Sequence, residues 1–294
     1  MKEIIFFGNG LLADYALEVL KKDYKIVFHA KTREDLKKVR ELKLKNPKIH
    51  GVLASFGTII KPDLLELFEP EGILNIHPSL LPLYRGASPI ESAILAGDDE
   101  FGVSVMKLAE AMDAGPVYTQ VTISGLPLNK DEIYYYLAKT GAELAGMVLN
   151  TLDEAFEGKN YDEEYEKLGR ESNRPDVVKE HRKWVEHVRH PKLQDDKKAT
   201  YCGKLTKSMG ILTPKTDTAE QTLRKIIAFQ GFPKAKYTFF GVKCIILEAH
   251  VCEPSETAVL ALPCADGQIL SIDRLQPEGR KVMDVKSFLN GYAK

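Results

Sequence analysis

Hydrophobic positions in the first half of the chain alternate between two periods. Short apolar runs at Glu3–Gly8, Lys25–Ala30, Ile49–Phe56 and Gly72–His77 predict buried strands. Between them lie segments with one apolar face. In Leu11–Lys22 that face carries Leu12, Tyr15, Ala16, Val19 and Leu20, and Glu34–Lys45 is a basic helix with Leu36, Val39 and Leu42. Pro62–Phe68 is a short helix with proline in its first turn. Ser88–Ala96 reads as a helix capped by Ser88, Gly102–Leu108 and Pro116–Ile123 as two more strands, and Asp131–Phe156 as a long helix. Strands alternating with helices predict an α/β architecture with helices on both faces of a mostly parallel sheet.

The pattern changes twice further on. Glu157–Lys198 is polar and charged, with one helical stretch at Val177–Arg189, and reads as a linker or insertion. Beyond Thr200 a helix at Ala219–Phe229 precedes short strands at Lys236–Phe240, Val242–Glu248, Ala258–Pro263 and Gln268–Leu275, and a last helix spans Val285–Tyr292. That series predicts a small β-barrel. The expected organisation is a Rossmann-like domain over residues 1–156, a charged linker over 157–198 and a barrel domain over 199–294. A chain of 294 residues suits two such cores.

Net charge is −1, so no global nucleic-acid signature exists. The distribution is more informative. Lys197–His250 has ten Lys or Arg against three acids, and Lys21–Lys48 has eleven against four, each a local +7. Such surfaces can steer a polyanion, although solvated helix faces give the same count. The four cysteines (Cys202, Cys244, Cys252 and Cys264) include no C-x-x-C pair and fall mostly in predicted strands, which fits small hydrophobes in a reducing compartment. The start MKEIIFFGNG enters a strand at once, and no run of 18 apolar residues occurs. A cytoplasmic protein with no membrane partner is expected.

The stretch Ile73–Gln120 concentrates the chemistry. Asn75 and His77 stand two residues apart at the end of an apolar strand, so their side chains share one face. Ligands of open α/β sheets bind beyond the carboxyl ends of strands, where this pair projects. Pro78-Ser79-Leu80-Leu81-Pro82 follows, then Arg85-Gly86, and Asp113 lies in the later loop Met112-Asp113-Ala114-Gly115-Pro116. A carboxylate within reach of His77 would orient the imidazole.

Asn-Ile-His-Pro-Ser-Leu-Leu-Pro-x-x-Arg-Gly, followed about thirty residues on by Met-Asp-Ala-Gly-Pro, resembles the folate-dependent formyltransferases. The resemblance implies 10-formyltetrahydrofolate as co-substrate, no metal, and a catalytic trio at Asn75, His77 and Asp113. In this reading the Asn75 amide and a protonated His77 donate to the carbonyl oxygen as it becomes an oxyanion, and Asp113 helps relay the proton to the leaving nitrogen. The folate site would be lined by Ser79, Leu80, Leu81, Pro82 and Gly115, with Leu81–Pro82 a candidate cis bond. Arg85 is either a surface charge or an anchor for that loop, and Ser79 a turn former.

Other motifs are weaker. Gly8-Asn9-Gly10-Leu11-Leu12-Ala13 fits G-x-G-x-x-A after a strand. No acid ends the second strand, but Lys31 and Arg33 could suit a 2′-phosphate, which leaves an NADP-binding reading open. His181, His187 and His190 sit at offsets that do not stack on one helix face, so a solvated helix is favoured over a metal site, with Trp184 anchoring it.

The second half bears on the acceptor. Ala199-Thr200-Tyr201, Lys204-Leu205-Thr206, Phe229-Gln230-Gly231-Phe232-Pro233, Cys264-Ala265-Asp266-Gly267 and Leu275–Met283 resemble the C-terminal domain of methionyl-tRNA formyltransferases, an oligonucleotide-binding-type (OB-like) barrel. The resemblance implies aminoacylated initiator tRNA as partner; Lys204, Lys207, Lys234 and Lys236 of the basic run are the candidate phosphate contacts, and a monomer is expected. Against the family pattern, the segment joining the second and third strands is short, and Lys31, Arg33, Lys37 and Lys38 are candidate substitutes for the missing basic loop. Glu157–Pro191 is longer than usual. Alternatives are a formyltransferase acting on a small amine, such as a nucleotide-linked amino sugar, and a silent RNA-binding homologue.

Overall fold

The computed structural model describes residues 1–126, 129–157 and 177–293. The part of the predicted linker at 158–176 lies outside the described residues. The chain divides into two compact units. The first comprises Met1–Gly86, Glu100–Gly125 and Tyr134–Tyr201, and the second comprises Ala87–Asp99, Leu126–Ile133 and Cys202–Lys294.

The first unit is built on a six-stranded sheet. Its strands are β1 (Glu3–Phe7), β2 (Lys25–Ala30), β3 (His50–Leu53), β4 (Ile73–His77), β6 (Glu100–Lys107) and β7 (Val117–Ser124), in the order β2-β1-β3-β4-β6-β7; the two-residue strands β5 (Arg85–Gly86) and β8 (Tyr201–Cys202) lie outside it. The first four run parallel. β6 is antiparallel to β4 and to β7. The fold class is therefore the predicted mostly parallel, Rossmann-like sheet. Helices α1 (Leu11–Leu20), α2 (Leu36–Lys45) and α3 (Pro62–Leu65) follow the first three strands. Strand β1 exposes none of Ile4, Ile5, Phe6 or Phe7 to solvent, as expected for a strand covered on both faces. Phe7, Val39, Leu53, Phe56, Phe68 and Ile73 form one apolar cluster. The Gly8–Gly10 turn is tightly built: a Cβ at Gly8 would collide with the Ala54 carbonyl, and Gly10 sits at φ +83°.

Two long helices complete this unit. Most of α5 (Lys130–Glu157) belongs here, while its first turn is grouped with the second unit. Helix α6 (Val177–Arg189) matches the predicted stretch but is not the solvated helix expected. His181 is buried against the Glu154 carboxylate at 2.7 Å, and Val188 is inaccessible. The indole N–H of Trp184 donates to Thr151 Oγ1 (2.9 Å), so Trp184 does anchor the helix. The charge count misled because six Lys, Arg or Glu in thirteen residues leave room for one apolar stripe, and that stripe decides docking.

The second unit centres on an antiparallel sheet: β9 (Lys236–Phe239), β10 (Val242–Val251), β11 (Ala261–Pro263) and β12 (Ile269–Pro277), ordered β11-β12-β10-β9, with β13 (Met283–Asp284) on β12. The register shifts twice along β10 against β12, and such bulges bend and twist a sheet. The predicted barrel is realised as an antiparallel half-barrel. Helix α7 (Ala219–Ala228) packs Ile226 into the apolar cluster of Phe239, Ile246, Leu270 and Leu275, and α8 (Val285–Tyr292) adds Phe288. Helix α4 (Pro89–Ala96) falls in this unit. Its Ser88 does not cap it. The hydroxyl of Ser88 instead donates to the Gly203 carbonyl, and its ψ of 56° departs from the extended cap geometry. Glu91 and Lys130 form an ion pair of 2.8 Å with side chains 6% and 9% exposed, and Lys130 also donates to the carbonyls of Ala228 and Gln230. Cys202, Cys244 and Cys264 are buried free thiols, and burial raises Cys244 and Cys264 above the usual thiol range.

Candidate active site

The parallel register of β3 on β4 and the antiparallel register of β6 on β4 fix the last residues of β4 at the centre of the sheet. Asn75 and His77 are both buried, at 5% and 4% exposure, yet both are polar. Buried polar groups require partners, and those partners define the site. The Asn75 amide donates to Asp113 Oδ1 at 3.4 Å. His77 Nε2 lies 3.0 Å from the Tyr84 carbonyl, which can only accept, so Nε2 carries a hydrogen. His77 Nδ1 faces Asp113 Oδ1 at 3.7 Å, too long for a hydrogen bond. The three residues singled out in the sequence therefore meet. One detail differs from expectation: the bond that orients the imidazole comes from the loop carbonyl of Tyr84, not from Asp113.

Asp113 has its own supports. The backbone N–H of Gly86 donates to its second oxygen, Oδ2, at 2.9 Å, and its backbone occupies the left-handed region at φ +50°. For a residue other than glycine that conformation costs about 1–3 kcal/mol and persists only where surroundings enforce it. Tyr84, whose carbonyl holds His77, sits at φ +55° and is fixed by its N–H to Thr200 Oγ1 (2.8 Å).

The Ser79–Pro82 loop is equally determined. Ser79 Oγ donates to the Leu83 carbonyl (2.6 Å), a turn former's contact. The buried Ser104 hydroxyl donates to the Ser79 carbonyl (2.7 Å) and accepts from the Leu81 N–H (3.1 Å). Leu81–Pro82 is cis. Leu81 is buried, while Leu80 and Pro82 are partly exposed and Leu83 is 41% exposed. This puts apolar surface beside the polar trio. Gly115 is buried, and a Cβ there would overlap the Lys107 carbonyl at 1.9 Å, so only glycine fits.

Sequence reasoning left the role of Arg85 open and missed Gln194. Arg85, left as surface charge or anchor, is 2% exposed and donates from Nε and Nη2 to Gln194 Oε1 (3.0 and 2.8 Å) and from Nη2 to Asp196 (2.8 Å). Gln194 and Asp196 lie in the segment read as linker. The one available signal was Gln194 itself, an uncharged amide within a run of charges just before Ala199-Thr200-Tyr201.

The remaining candidates are placed as follows. Lys204, Lys207, Lys234 and Lys236 are all exposed in the second unit, and none enters an ion pair among the described residues. The Leu212 N–H donates to the Lys236 carbonyl (2.9 Å), which lays the Lys207–Leu212 segment beside Lys234–Lys236. Of the other basic residues in that run, Arg224 and Lys225 pair with Glu220 and Asp217. At least four of the eleven basic residues in the first run are engaged locally: Lys43 is buried on backbone carbonyls, and Lys25, Lys38 and Arg40 pair with Glu3, Glu41 and Asp63. Near the glycine turn, the N–H groups of Gly8 and Asn9 are taken by the carbonyls of Ala30 and Ser55, and the Asp35 carboxylate accepts from the N–H groups of Lys31 and Thr32. Among the described residues no group of three or more His, Cys, Asp or Glu is placed to hold a metal, and no helix is long and apolar enough to cross a membrane.

Comparison with known proteins identifies the family. Residues 12–149 match the formyl transferase family model, and residues 204–293 match the formyl transferase C-terminal domain. The chain belongs to the formyl transferase family. Relatives include a methionyl-tRNA formyltransferase of Dehalococcoides mccartyi, 34% identical over 252 residues, and one of Treponema pallidum, 33% identical over 254 residues. Each match covers 82% of this chain and 69% of the relative. Among solved structures, the methionyl-tRNA formyltransferase from Clostridium thermocellum superposes with a TM-score of 0.56 at 15% identity, covering 97% of this chain and 99% of that one. HypX from Aquifex aeolicus, solved with tetrahydrofolic acid, gives a TM-score of 0.64 at 16% identity, and the chain spans 48% of its length. Both likenesses bear on the fold. The family assignment covers β4, the loops around Asp113 and the half-barrel.

Proposed function

We propose that this formyl transferase passes the formyl group of 10-formyltetrahydrofolate to the amino group of methionyl-tRNA, with Asn75, His77 and Asp113 as the catalytic residues. The observation that carries the reading is their convergence: a buried amide and imidazole and a partly buried carboxylate, 38 residues apart at the extremes, with Asp113 Oδ1 3.4 Å from the Asn75 amide and 3.7 Å from His77 Nδ1. The relatives named methionyl-tRNA formyltransferase support the acceptor, and the exposed lysines of the second unit suit a phosphate backbone.

Formyl transfer requires the amine nitrogen to bond to the formyl carbon, the bond from that carbon to the folate nitrogen to break, and a proton to pass from the first nitrogen to the second. Asn75 spends one amide N–H on Asp113 and keeps the other for the carbonyl oxygen as it gains charge. With Nε2–H committed to Tyr84, His77 presents Nδ1 to the reaction and to Asp113. Asp113, held by Gly86, takes up the proton of the attacking amine and returns it to the leaving nitrogen. Leu80, Pro82 and Leu83 offer apolar surface for the folate ring system, with Ser79 and Gly115 shaping the adjoining turns. All of these groups come from one chain, so a monomer suffices for the chemistry, and a tRNA acceptor fits a cytoplasmic enzyme.

The test is incubation of the purified protein with 10-formyltetrahydrofolate and either methionyl-tRNA or an amino-sugar nucleotide, followed by chromatographic detection of the N-formyl product. Formylmethionyl-tRNA is the expected product. Product from the sugar nucleotide alone would assign a small-amine acceptor, and absence of product with any amine would leave an RNA-binding role.

A further inference from the structure

Asp113 holds an unfavourable backbone conformation at φ +50° in a loop whose neighbours Ala111 and Met112 are exposed. Its side chain is anchored by Gly86, but something must also hold the loop's backbone. One side chain outside the loop does so. Gln194 Nε2 donates one hydrogen to the Asp113 carbonyl (2.8 Å) and the other to the Gly115 carbonyl (2.7 Å). The orientation of that amide is unambiguous, because Oε1 accepts from Arg85 Nε and Nη2, and a guanidinium can only donate. Arg85 is 2% exposed and directly precedes Gly86, whose N–H binds the Asp113 carboxylate. Gln194 thus joins both ends of the Asp113 anchorage: the loop backbone through its amide nitrogen, and the strand that holds the carboxylate through its amide oxygen.

We infer that Gln194 is a positioning residue for Asp113, bridging the Asp113 and Gly115 carbonyls to buried Arg85 so that the Asp113 carboxylate stays beside His77 and Asn75. The inference rests on the reading of Asp113 as catalytic. It identifies the last part of the predicted linker as a component of the active site.

The discriminating variant is Gln194→Glu. It keeps the acceptor for Arg85, loses both donated hydrogens and sets a carboxylate oxygen against two carbonyl oxygens. Expected results are a kcat lower by about 10- to 100-fold, the scale of a misplacement near 1 Å, with KM for both substrates within about threefold. In an Asp113→Asn background the same change should add nothing, because the two act through one group. Exchange of the Gly86 amide hydrogen, followed by NMR, should quicken by about tenfold while that of Arg85, bonded to the Thr200 carbonyl, is unchanged. Wild-type kcat in Gln194→Glu, a full additional loss in the Asp113→Asn background, or unaltered Gly86 exchange would overturn the inference. Gln194→Met, read on the same measures, decides the matter if the glutamate variant does not fold. Should the wild-type protein formylate no amine, the functional reading fails, and Gly86 exchange still decides the positioning role.

Discussion

The polar trio of the first unit and the exposed lysines of the second are both sets of hydrophilic residues proposed for a reactive or a recognition role, but they are built on opposite principles. Asn75, His77 and Asp113 are enclosed, and each is tied to at least one protein group: Asp113 Oδ1, the Tyr84 carbonyl and the Gly86 N–H. Lys204, Lys207, Lys234 and Lys236 stand in solvent without ion pairs among the described residues. A site that stabilises developing charge must have its dipoles in place before the reaction, because reorganising them would consume the gain. A surface that attracts a polyanion works through summed charge and counterion release, which needs no fixed geometry. One region should therefore fail steeply and at single positions, and the other gradually and additively.

The steepest failure is expected at the trio. Asn75→Ala, His77→Ala and Asp113→Ala should each lower kcat by at least about 10²–10³-fold in a formyl-transfer assay, the usual cost of losing an oxyanion donor or proton relay. Near-normal turnover of His77→Ala would remove the basis for the contrast. Ser104→Ala comes next. It leaves the Leu81 N–H and the Ser79 carbonyl without their shared partner, a cost of about 1–3 kcal/mol for buried groups. If the loop holds folate, KM for 10-formyltetrahydrofolate should rise about tenfold in steady-state assays, with KM for the acceptor unchanged.

The exposed lysines should respond weakly. Lys234→Ala and Lys236→Ala should each weaken binding of methionyl-tRNA a few-fold and reduce the slope of log affinity against log salt by about 1, measured by filter binding across a salt series. A salt-independent affinity would sink the electrostatic account. The smallest effect concerns stability. His250 bonds Asp273 through Nδ1 and Glu256 through Nε2, at 2.8 and 2.7 Å, and these carboxylates raise its pKa above the usual range. A raised folded-state pKa means that the stabilisation is present below the unfolded value of about 6.5 and is lost as pH rises through the higher folded value. Because His250 is 45% exposed, solvent screening keeps the effect small. His250→Gln should lower the melting temperature more at pH 6 than at pH 9.

The strand–helix alternation, the half-barrel strands and the nearness of Asn75 to His77 were legible in the sequence because each is a local property. Period-2 and period-3.6 patterns report which face is buried, and two residues apart on a strand means the same face. That Asp113 joins them followed from motif resemblance, and the register of β4 against β6 is what brings it there. Tyr84 as the partner of His77, the Gln194 bridge and the docked face of α6 were not legible. Each joins positions through hydrogen bonds or packing set by the tertiary path: Gln194 reaches Asp113 across 81 residues, and His181 reaches Glu154 across 27. Periodicity records burial averaged over an element, whereas a single bond between distant segments leaves no repeating trace. Local chemistry determined which residues could react, and only the folded backbone decided which groups hold them in place.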